Sequence, residues 1–583
     1  MNHIFQSLAG MKNHQHRHTL LLSLPILLIL IFSGCDSQKS TITGHNDESP
    51  DARRKKVKDA FSQNINQLPS NITDPRAHEI NKFFAQLGTI TGSEKDFEIN
   101  DFLYADAMIN LLDEMGVLDG LSRSQRQSFA AGFKDGIKGF SQHFKRLDYD
   151  RHKIMKIEEI DNDEVLVYVR HYNNDYNISF PMRWWLINTG SGWRLYDFEN
   201  LRTNLRMLRA VSIALKERLS GVKQPWASRI QLIAGAADSI EQMNMEELIT
   251  FEEQLRELRK SNIPDEYQCF VSTSLVTCLG YQGRYQEAID ELDSANAGGY
   301  ASPVYHYLMA DNLISMEEYE RALDEIDKFV AVFGADSDVL EFKSVSLWHL
   351  GRLKEAREAA LQGLEDNPGS MNTLADLAAS SSLEQIAHES TKDFFNQAKS
   401  PETAYELALD YLSELLQPEK SKALLNIYKN SYPDSENIPY YHNQVAQVRI
   451  YSEDYAGALS EVEEYTELYG SDADILETKS DALYWLGRLD ESREAALDGL
   501  EADPQSVNCL VSLIAASSPD QISTAAIKDF IAGSGDPEYA LDTALAYTIG
   551  LDQIDKASIL LNMLKTSHPD SELISYYDEL LSE

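Results

Sequence analysis

The chain has 583 residues, with 93 Asp and Glu against 52 Lys and Arg, and a formal net charge of −41 at pH 7. This excess of negative charge excludes a nucleic-acid-binding protein and a protein that lies flat on an anionic membrane. There are only four Cys. The fold therefore depends on its apolar core and not on a disulfide framework.

The N-terminus has the features of an export signal. Lys12 and Arg17 precede the apolar run 20–32. This run is too short to span a bilayer but suits the hydrophobic part of a secretory signal. Translation from Met11 gives a signal of more typical length than translation from Met1. We therefore predict that residues 1–34 are a signal peptide.

The end of this run, Phe32-Ser33-Gly34-Cys35, resembles the lipobox of bacterial lipoproteins, with Phe32 where Leu is usual. The resemblance implies cleavage before Cys35 and acylation of Cys35, for example with palmitate. Several acyl chains anchor a protein stably to a membrane. The expected location is the bacterial cell envelope, facing the periplasm, and Asp36 favours the inner membrane. The alternative is an ordinary cleaved signal with an incidental Cys.

We predict that residues 35–50 are a polar tether that starts at the Cys expected to be acylated, and that residues 51–210 form the next domain. Helical patterns cover Ala52–Leu68, Pro75–Leu87, Asp96–Met115 and Ser122–Phe144. From Arg151 onward the pattern becomes alternating, with β-branched and aromatic residues between turn signals such as Asn162-Asp163. Such alternation predicts antiparallel strands joined by hairpins. We therefore expect a small α+β domain.

The phrase Trp193-Arg194-Leu195-Tyr196-Asp197 resembles the last strand of toluene-tolerance lipid carriers, and the whole domain resembles the nuclear-transport-factor-like fold. These resemblances imply an apolar ligand held between sheet and helices, or dimerisation through the sheet. The candidate pocket residues are Trp184, Trp185 and Tyr196. The alternative is that Trp184 and Trp185, which face opposite sides of a strand, are a core residue and a packed or interface residue.

After connecting helices over 211–268, the chain duplicates itself. GRLKEAREAALQGLEDNP at 351–368 returns as GRLDESREAALDGLEADP at 487–504, an offset of 136 residues. The offset is about four times the roughly 34-residue period of a helix–turn–helix repeat. Apolar residues at spacings of three and four within each unit predict paired helices.

The spacing Gly351…Leu353…Ala356…Pro368 resembles the tetratricopeptide repeat (TPR) family. Similar spacings begin at Gly283, Glu318, Asp454, Gly487 and Ile554. The resemblance implies a mostly α protein. We therefore predict an α-solenoid of TPR-like hairpins over 269–571, with copies at 303–438 and 439–574 and a capping helix at 572–583. Units near 371–401 and 507–537 lack the Gly-x-Tyr step, and we expect irregular hairpins there.

No catalytic signature is present, so we predict no enzyme, no cofactor and no metal. His388-Glu389 begins like a zinc-protease motif, but Lys392 stands in place of the second His. His171 and Asp197 could form a pair, but the sequence places no nucleophile beside them. Cys269, Cys278 and Cys509 are expected to be buried, small apolar residues and not nucleophiles.

TPR proteins line their concave face with the first helix of each hairpin, and the resemblance implies which residues point inward. The groove candidates are Tyr307, Asp311, Glu341, Trp348, His349, Asn443, Tyr451, Glu477, Asp481, Tyr484 and Trp485. They combine aromatic and acidic groups and include no Lys or Arg, which disfavours the family's carboxylate clamp. The alternative for Trp348 and Trp485 is packing on neighbouring repeats.

From Cys269 to the end, 57 Asp and Glu stand against 19 Lys and Arg. An acidic, aromatic groove favours a protein or peptide partner that carries basic residues. We therefore expect a membrane-anchored extracytoplasmic scaffold that binds such a partner and no nucleic acid. The alternative is a periplasmic carrier or chaperone that holds an apolar ligand in the 51–210 domain.

Overall fold

The structure is a computed structural model that describes most of the chain after residue 71. The described residues are 72–91, 102–137, 149, 151–173, 178–201, 205–220, 226, 229–230, 233, 240, 243–261, 263–297, 303–398 and 400–582. The predicted signal peptide, Cys35, the tether and the helix predicted at 52–68 lie outside them. The described part divides into two compact units, with the division between Ser370 and Met371. No helix in the described ranges is long and apolar enough to cross a membrane.

The first unit begins with the predicted α+β domain. Its elements are α1 (Ala77–Thr91), α2 (Ala105–Glu114), α3 (Arg123–Ile137), β1 (Arg151–Asp161), β2 (Glu164–Asn173), β3 (Ile178–Asn188), β4 (Trp193–Asn200) and β5 (Leu205–Arg206). The strands form one antiparallel sheet in the order β1-β2-β3-β4-β5. The predicted antiparallel sheet is confirmed.

The sheet has two covered faces. On the helix-covered face, Trp184 lies between its strand partners Val167 and Phe198 and packs on the apolar side chains of α1 and α2. On the opposite, repeat-covered face, Tyr168 and Leu201 pack with apolar residues from the first helical repeats. The alternation of strand side chains therefore supplies two apolar contacts and not one.

The rest of the first unit is helical. Its elements are α4 (Met207–Ser220), α5 (Met245–Lys260), α6 (Asp265–Tyr281), α7 (Tyr285–Ala297), α8 (Pro303–Ser315), α9 (Tyr319–Phe333), α10 (Ser337–His349) and α11 (Leu353–Asp366). Helices α6 to α11 form three successive hairpins, with α8/α9 and α10/α11 at the positions predicted from the repeat. Cys269 and Cys278 on α6 are buried, as predicted, and so is Cys509 in the second unit.

The second unit continues the series of hairpins. Its elements are α12 (Met371–Ser380), α13 (Leu383–Ile386), α14 (Glu389–Asn396), α15 (Pro401–Glu414), α16 (Pro418–Ser431), α17 (Ile438–Tyr451), α18 (Tyr455–Tyr469), α19 (Ala473–Trp485), α20 (Leu489–Ala502), α21 (Val507–Ala516), α22 (Pro519–Ile522), α23 (Ala525–Gly533), α24 (Pro537–Gly550), α25 (Ile554–Ser567) and α26 (Leu573–Leu580). The two irregular hairpins expected from the sequence are present, because two short helices replace the second helix of each. Helix α26 packs on α25 at the position of the predicted cap.

Each regular hairpin turns through one residue with a positive φ angle. Gly351 and Gly487 have φ of 73° at this position. Glu317 and Glu453 adopt 62° at the equivalent position of the preceding hairpins. Glycine enters this left-handed region without strain, whereas other residues pay a steric cost. The turn geometry is therefore a property of the repeat, and glycine is only the easiest way to reach it.

Candidate functional site

In the first unit, part of the predicted groove is filled by the sheet. The ring of Tyr307 on α8 stacks on Phe342 with ring centroids 4.8 Å apart, and it belongs to the same apolar cluster as Tyr168 and Leu201 of the sheet domain. Phe329 and Phe333 of α9 complete this contact. Tyr307, predicted to face a partner, is therefore a packing residue against the protein's own sheet.

A buried ion pair fastens the same contact. Arg170 of β2, which is 2% exposed, places its guanidinium 3.2 Å from Asp336 and 2.5 Å from Asp338 at the start of α10. Burial opposes the charge on Arg170, but the two carboxylates outweigh it and raise its pKa. Asp336 also caps α10 by accepting from the Val339 N–H at 3.0 Å. Charge and capping thus fix the sheet on the repeats.

The first helix α8 also carries an acidic residue, Asp311, outside the contact with the sheet. Asp311 lies one turn after Tyr307 on α8. Its side chain touches water, but neighbouring protein atoms displace much of the water around the carboxylate. This crowding, together with the charge of Glu341 on α10, raises the pKa of Asp311 to about 6. The two predicted residues therefore act on one another across adjacent first helices.

The aromatic residues at the ends of the first helices stack on neighbouring repeats. His349 lies over Tyr319 with centroids 4.3 Å apart and an interplanar angle of 5°. Trp485, the residue 136 positions later, stacks in the same way on Tyr455 at 5.9 Å and 10°. Trp348 packs with the apolar cluster between α10 and α11. The packing alternative weighed for Trp348 and Trp485 thus describes these contacts, and His349 shares them.

In the second unit, first helices of successive hairpins lie side by side, with α17 on α19, α19 on α21 and α21 on α24. Four predicted residues come together on this wall. Glu477, Asp481 and Tyr484 follow one face of α19 at spacings of four and three. Burial, and then the charges of Glu477 and Asp481, raises the pKa of Tyr451 on α17. Asn443 lies nearer the start of α17, where its side-chain oxygen accepts from the Thr478 hydroxyl at 2.8 Å.

The two carboxylates of this wall hold their protons unusually tightly. Burial, reinforced by Asp481 and Asp474, raises the pKa of Glu477 to about 8. Burial raises the pKa of Asp481 to about 6, against a hydrogen bond that the Ser512 hydroxyl donates at 2.7 Å. The charges of described residues that act on Glu477 are both negative, so no cation among them compensates its ionised form.

Three residues of the wall were missed in the sequence. Tyr547 of α24 has its pKa raised by burial and by Asp481 and Glu477. Gln553 donates to the Tyr484 hydroxyl at 2.6 Å, and Ser512 donates to Asp481. Ser512 belongs to an irregular hairpin and Gln553 to a turn, where the family positions could not be carried over. The signal that could have identified Tyr547 is its place on the first helix of the last hairpin. We call Tyr451, Glu477, Asp481, Tyr484 and Tyr547 the tyrosine–acid cleft.

One cluster has the composition of a metal site but already contains a cation. His442, Glu461 and Glu464 bring ligand atoms within 4.8 Å of one another. The Lys422 ammonium lies 2.5 Å from Glu461, 2.7 Å from Glu464 and 3.2 Å from the His442 Nε2. Burial raises the pKa of Glu461, but His442 and Lys422 lower it by more than burial raises it. The resulting pKa is about 2. The cluster is therefore an internal ion pair.

The residues proposed to hold an apolar ligand do not line a common pocket. Trp184 is fully buried on the helix-covered face and donates its indole N–H to His171 at 3.0 Å. Trp185 faces the other side, with the Arg206 guanidinium 4.1 Å from its ring centre. The Tyr196 hydroxyl donates to Glu164. These contacts correct the pocket hypothesis, because Trp184 and Tyr196 belong to the domain's own apolar core and Trp185 packs against that core.

The same two faces separate His171 from Asp197, so these residues do not form a catalytic pair. Burial lowers the pKa of His171 on the helix-covered face. Asp197 lies opposite Trp185 in the sheet and accepts from Arg206 and from the Leu208 N–H. Both groups thus have structural partners.

The tetratricopeptide repeat model matches residues 307–370 and 446–507, so the chain carries TPR repeats. Solved structures that resemble it include a TPR protein from Parabacteroides merdae, at 14% identity over 50% of this chain and 99% of that chain, with a TM-score of 0.29. The C-terminal part of a TPR protein from Cytophaga hutchinsonii is 16% identical over 52% and 97%, with a TM-score of 0.24. The maize pentatricopeptide repeat protein PPR10 is 14% identical over 61% and 52%, with a TM-score of 0.40. No curated protein matches the sequence significantly.

Proposed function

We propose that the protein is a lipid-anchored scaffold of the bacterial envelope that binds a protein partner carrying basic residues through the first helices of its repeats. The observation that supports this proposal is the distribution of unpaired acids. Carboxylates with raised pKa values and no cation acting on them lie on first helices: Asp311 on α8, Asp410 and Glu414 on α15, and Glu477 and Asp481 on α19.

Two acids on other helices behave differently. Glu252 of α5 is paired with Arg256 and Arg284, and Glu461 of α18 with Lys422 and Arg449. Unpaired charge on these first helices costs stability, and a basic partner would offset that cost on binding. The TPR repeats suggest protein binding in general, and the unpaired acids suggest the charge of the partner.

Site-specific photo-crosslinking in the native cells tests the binding wall. A crosslinker at Tyr451, on the wall, should give a discrete adduct with one protein, and the adduct should weaken as salt rises because the attraction is electrostatic. The matched control is a crosslinker at Leu497, which is 39% exposed on the second helix α20. Adducts at Leu497 and none at Tyr451 would refute the assignment of the wall.

The anchor is tested separately. If Cys35 carries the acyl chains, Cys35→Ser should move the protein from the membrane fraction to the soluble fraction of the envelope. Retention of the Cys35→Ser variant in the membrane fraction would exclude the lipid anchor without affecting the binding wall.

A further inference from the structure

A small cavity lies in the contact between the sheet and the repeats of the first unit. About 10 Å³ of it is open to the centre of a water molecule, which is room for one water. The residues that line it are Arg170, Pro181, Leu201, Val304, Tyr307 and Phe329. A cavity with only apolar walls stays dry, whereas one that a buried polar group borders can hold a water molecule.

Arg170 brings a hydrogen-bond donor to this cavity. Its side chain is 2% exposed, and its terminal Nη2 lies 3.2 Å from Asp336 and 2.5 Å from Asp338. The Arg170 Nε–H has no hydrogen-bond partner among the residues that the structure describes. Buried donors in folded proteins nearly always have a partner, either from the chain or from an ordered water.

Asp336 brings a hydrogen-bond acceptor to the same contact. Its Oδ1 accepts the Val339 N–H at 3.0 Å and faces the Arg170 guanidinium, but no described residue donates to its Oδ2. Asp336 is fully buried, so bulk solvent does not reach this oxygen. Two side chains that already touch one another thus each keep one buried polar atom for a further partner.

The second copy, 439–574, shows which group serves this acceptor when the chain itself supplies one. Asp472 is the equivalent of Asp336, and its Oδ1 likewise accepts an N–H, from Ile475 at 2.9 Å. Its Oδ2 accepts from the Tyr465 hydroxyl. The residue equivalent to Tyr465 is Phe329, which lines the cavity. The first copy therefore has a cavity beside a ring that lacks the hydroxyl of the second.

The charges at the contact favour a neutral occupant. Arg170 already faces the carboxylates of Asp336 and Asp338, which would repel an anion, and its guanidinium would repel a metal ion. The Arg170 Nε–H can only donate and the ionised Asp336 can only accept, so the occupant has to accept one hydrogen bond and donate another. Water does both and carries no charge.

We propose that one water molecule is bound in this cavity, where it accepts from the Arg170 Nε–H, donates to Asp336 Oδ2 and takes the place of the Tyr465 hydroxyl of the second copy. Because it joins a residue of β2 to the start of α10, this water is part of the contact that holds the sheet on the repeats. The inference is independent of the proposed partner of the repeats.

The direct test is a crystal structure of the full-length protein at a resolution that shows ordered water. We expect one solvent peak within about 3.2 Å of both Arg170 Nε and Asp336 Oδ2. In Phe329→Tyr, the new hydroxyl should replace this peak and donate to Asp336. A wild-type map without the peak would overturn the proposal, and so would a peak that persists beside the new hydroxyl. An anomalous signal at this position after a bromide soak would assign the site to an anion and also overturn it.

Magnetic relaxation dispersion of the water oxygen nuclei counts long-lived internal waters in solution. Phe329→Tyr should lower this count by one relative to the wild type. The matched variant Tyr465→Phe removes the hydroxyl of the second copy, where Asp472 is exposed to solvent, and should leave the count unchanged. Equal counts for the wild type and Phe329→Tyr would contradict the proposal, as would an equal loss in Tyr465→Phe. If Phe329→Tyr does not fold, the wild-type solvent peak alone decides.

Discussion

The hairpins of 303–370 and 439–506 are copies of one sequence with different surroundings. In the first, Phe329 and Phe333 pack on the sheet, and Asp336 is paired with Arg170. In the second, the equivalent residues are Tyr465, Tyr469 and Asp472, and the Tyr465 hydroxyl donates to Asp472. The tyrosine hydroxyl thus satisfies a carboxylate that the sheet satisfies in the other copy.

This difference shows how a repeat acquires two uses. The helix cores and turns are the same, because stacking requires them. The variation lies at the ends of the helices and along the first-helix wall. One copy is adapted to hold a domain of its own chain, and the other leaves an acidic wall accessible to water.

The largest expected difference between the two copies comes from removing Arg170, which pairs the sheet with the first copy. Arg170→Met leaves the buried Asp336 and the partly exposed Asp338 without the Arg170 guanidinium and should lower the free energy of unfolding of the first unit by about 3–5 kcal/mol. Chemical denaturation monitored by far-UV circular dichroism would measure this. The control is Asp474→Asn, the exposed equivalent of Asp338, which should change stability by less than about 0.5 kcal/mol. Equal effects would mean that the sheet contact is not what distinguishes the copies.

Lys422 is specific to the second unit, since Gln286 stands at the equivalent place 136 residues earlier. Lys422→Met should destabilise the second unit by about 2–3 kcal/mol at pH 7, because Glu461 and Glu464 lose their shared cation. The folded pKa of Glu461 is lowered to about 2, so its stabilisation is present above its unfolded pKa and is lost as the pH falls towards 2. The difference between variant and wild type should therefore shrink below about pH 4. A constant difference down to pH 2.5 would contradict the ion-pair explanation.

Substitution of the turn glycine should lower stability by the same amount in both copies. Gly487→Ala places a side chain at φ of 73° with nothing within 4 Å of the new Cβ, so the cost is conformational. Thermal unfolding should show a loss of about 1–2 kcal/mol, and Gly351→Ala should match it. Gly487→Asn is the control, because Asn tolerates this region better. If Gly487→Asn costs as much as Gly487→Ala, the backbone angle is not the cause.

The smallest expected effect is a gain of stability and not a loss. The folded pKa of Glu477 is raised to about 8, so its ionisation reduces stability as the pH rises from its unfolded value to 8. Glu477→Gln should raise the free energy of unfolding by on the order of 1 kcal/mol at pH 8.5, since water reaching the side chain screens part of the repulsion. The gain should disappear at pH 4, and Glu341→Gln should show much less of it. A loss of stability at pH 8.5 would contradict the unpaired state of Glu477.

The repeat architecture could be predicted because it follows from local patterns. The 136-residue offset, the turn glycines and the small residues near Ala356 each determine local structure, and the hairpins follow by stacking. The antiparallel sheet followed from alternation in the same way. The acids of α19 could be placed on one wall because spacings of three and four define a helix face.

The contact between sheet and repeats could not be predicted. It joins Arg170 to Asp336 across 166 residues, and no local period reports a pairing at that distance. Tyr307 occupies a position that faces ligand in the family pattern, and its chemistry alone does not reveal that a neighbouring domain covers it. Comparing the copies gives a hint, since Phe329 and Phe333 are apolar where Tyr465 and Tyr469 carry hydroxyls.

The sheet is covered by helices on one face and by the first repeats on the other. The α+β domain alone therefore does not bury both faces of its sheet. A truncation ending near residue 268, where the sequence pattern changes to repeats, would expose Tyr168 and Leu201 to water. It would also leave the Arg170 guanidinium without Asp336 and Asp338. Such a fragment should be prone to aggregate through the bared surface. Dissection of this protein by deletion therefore has to keep α8 to α11 with the sheet.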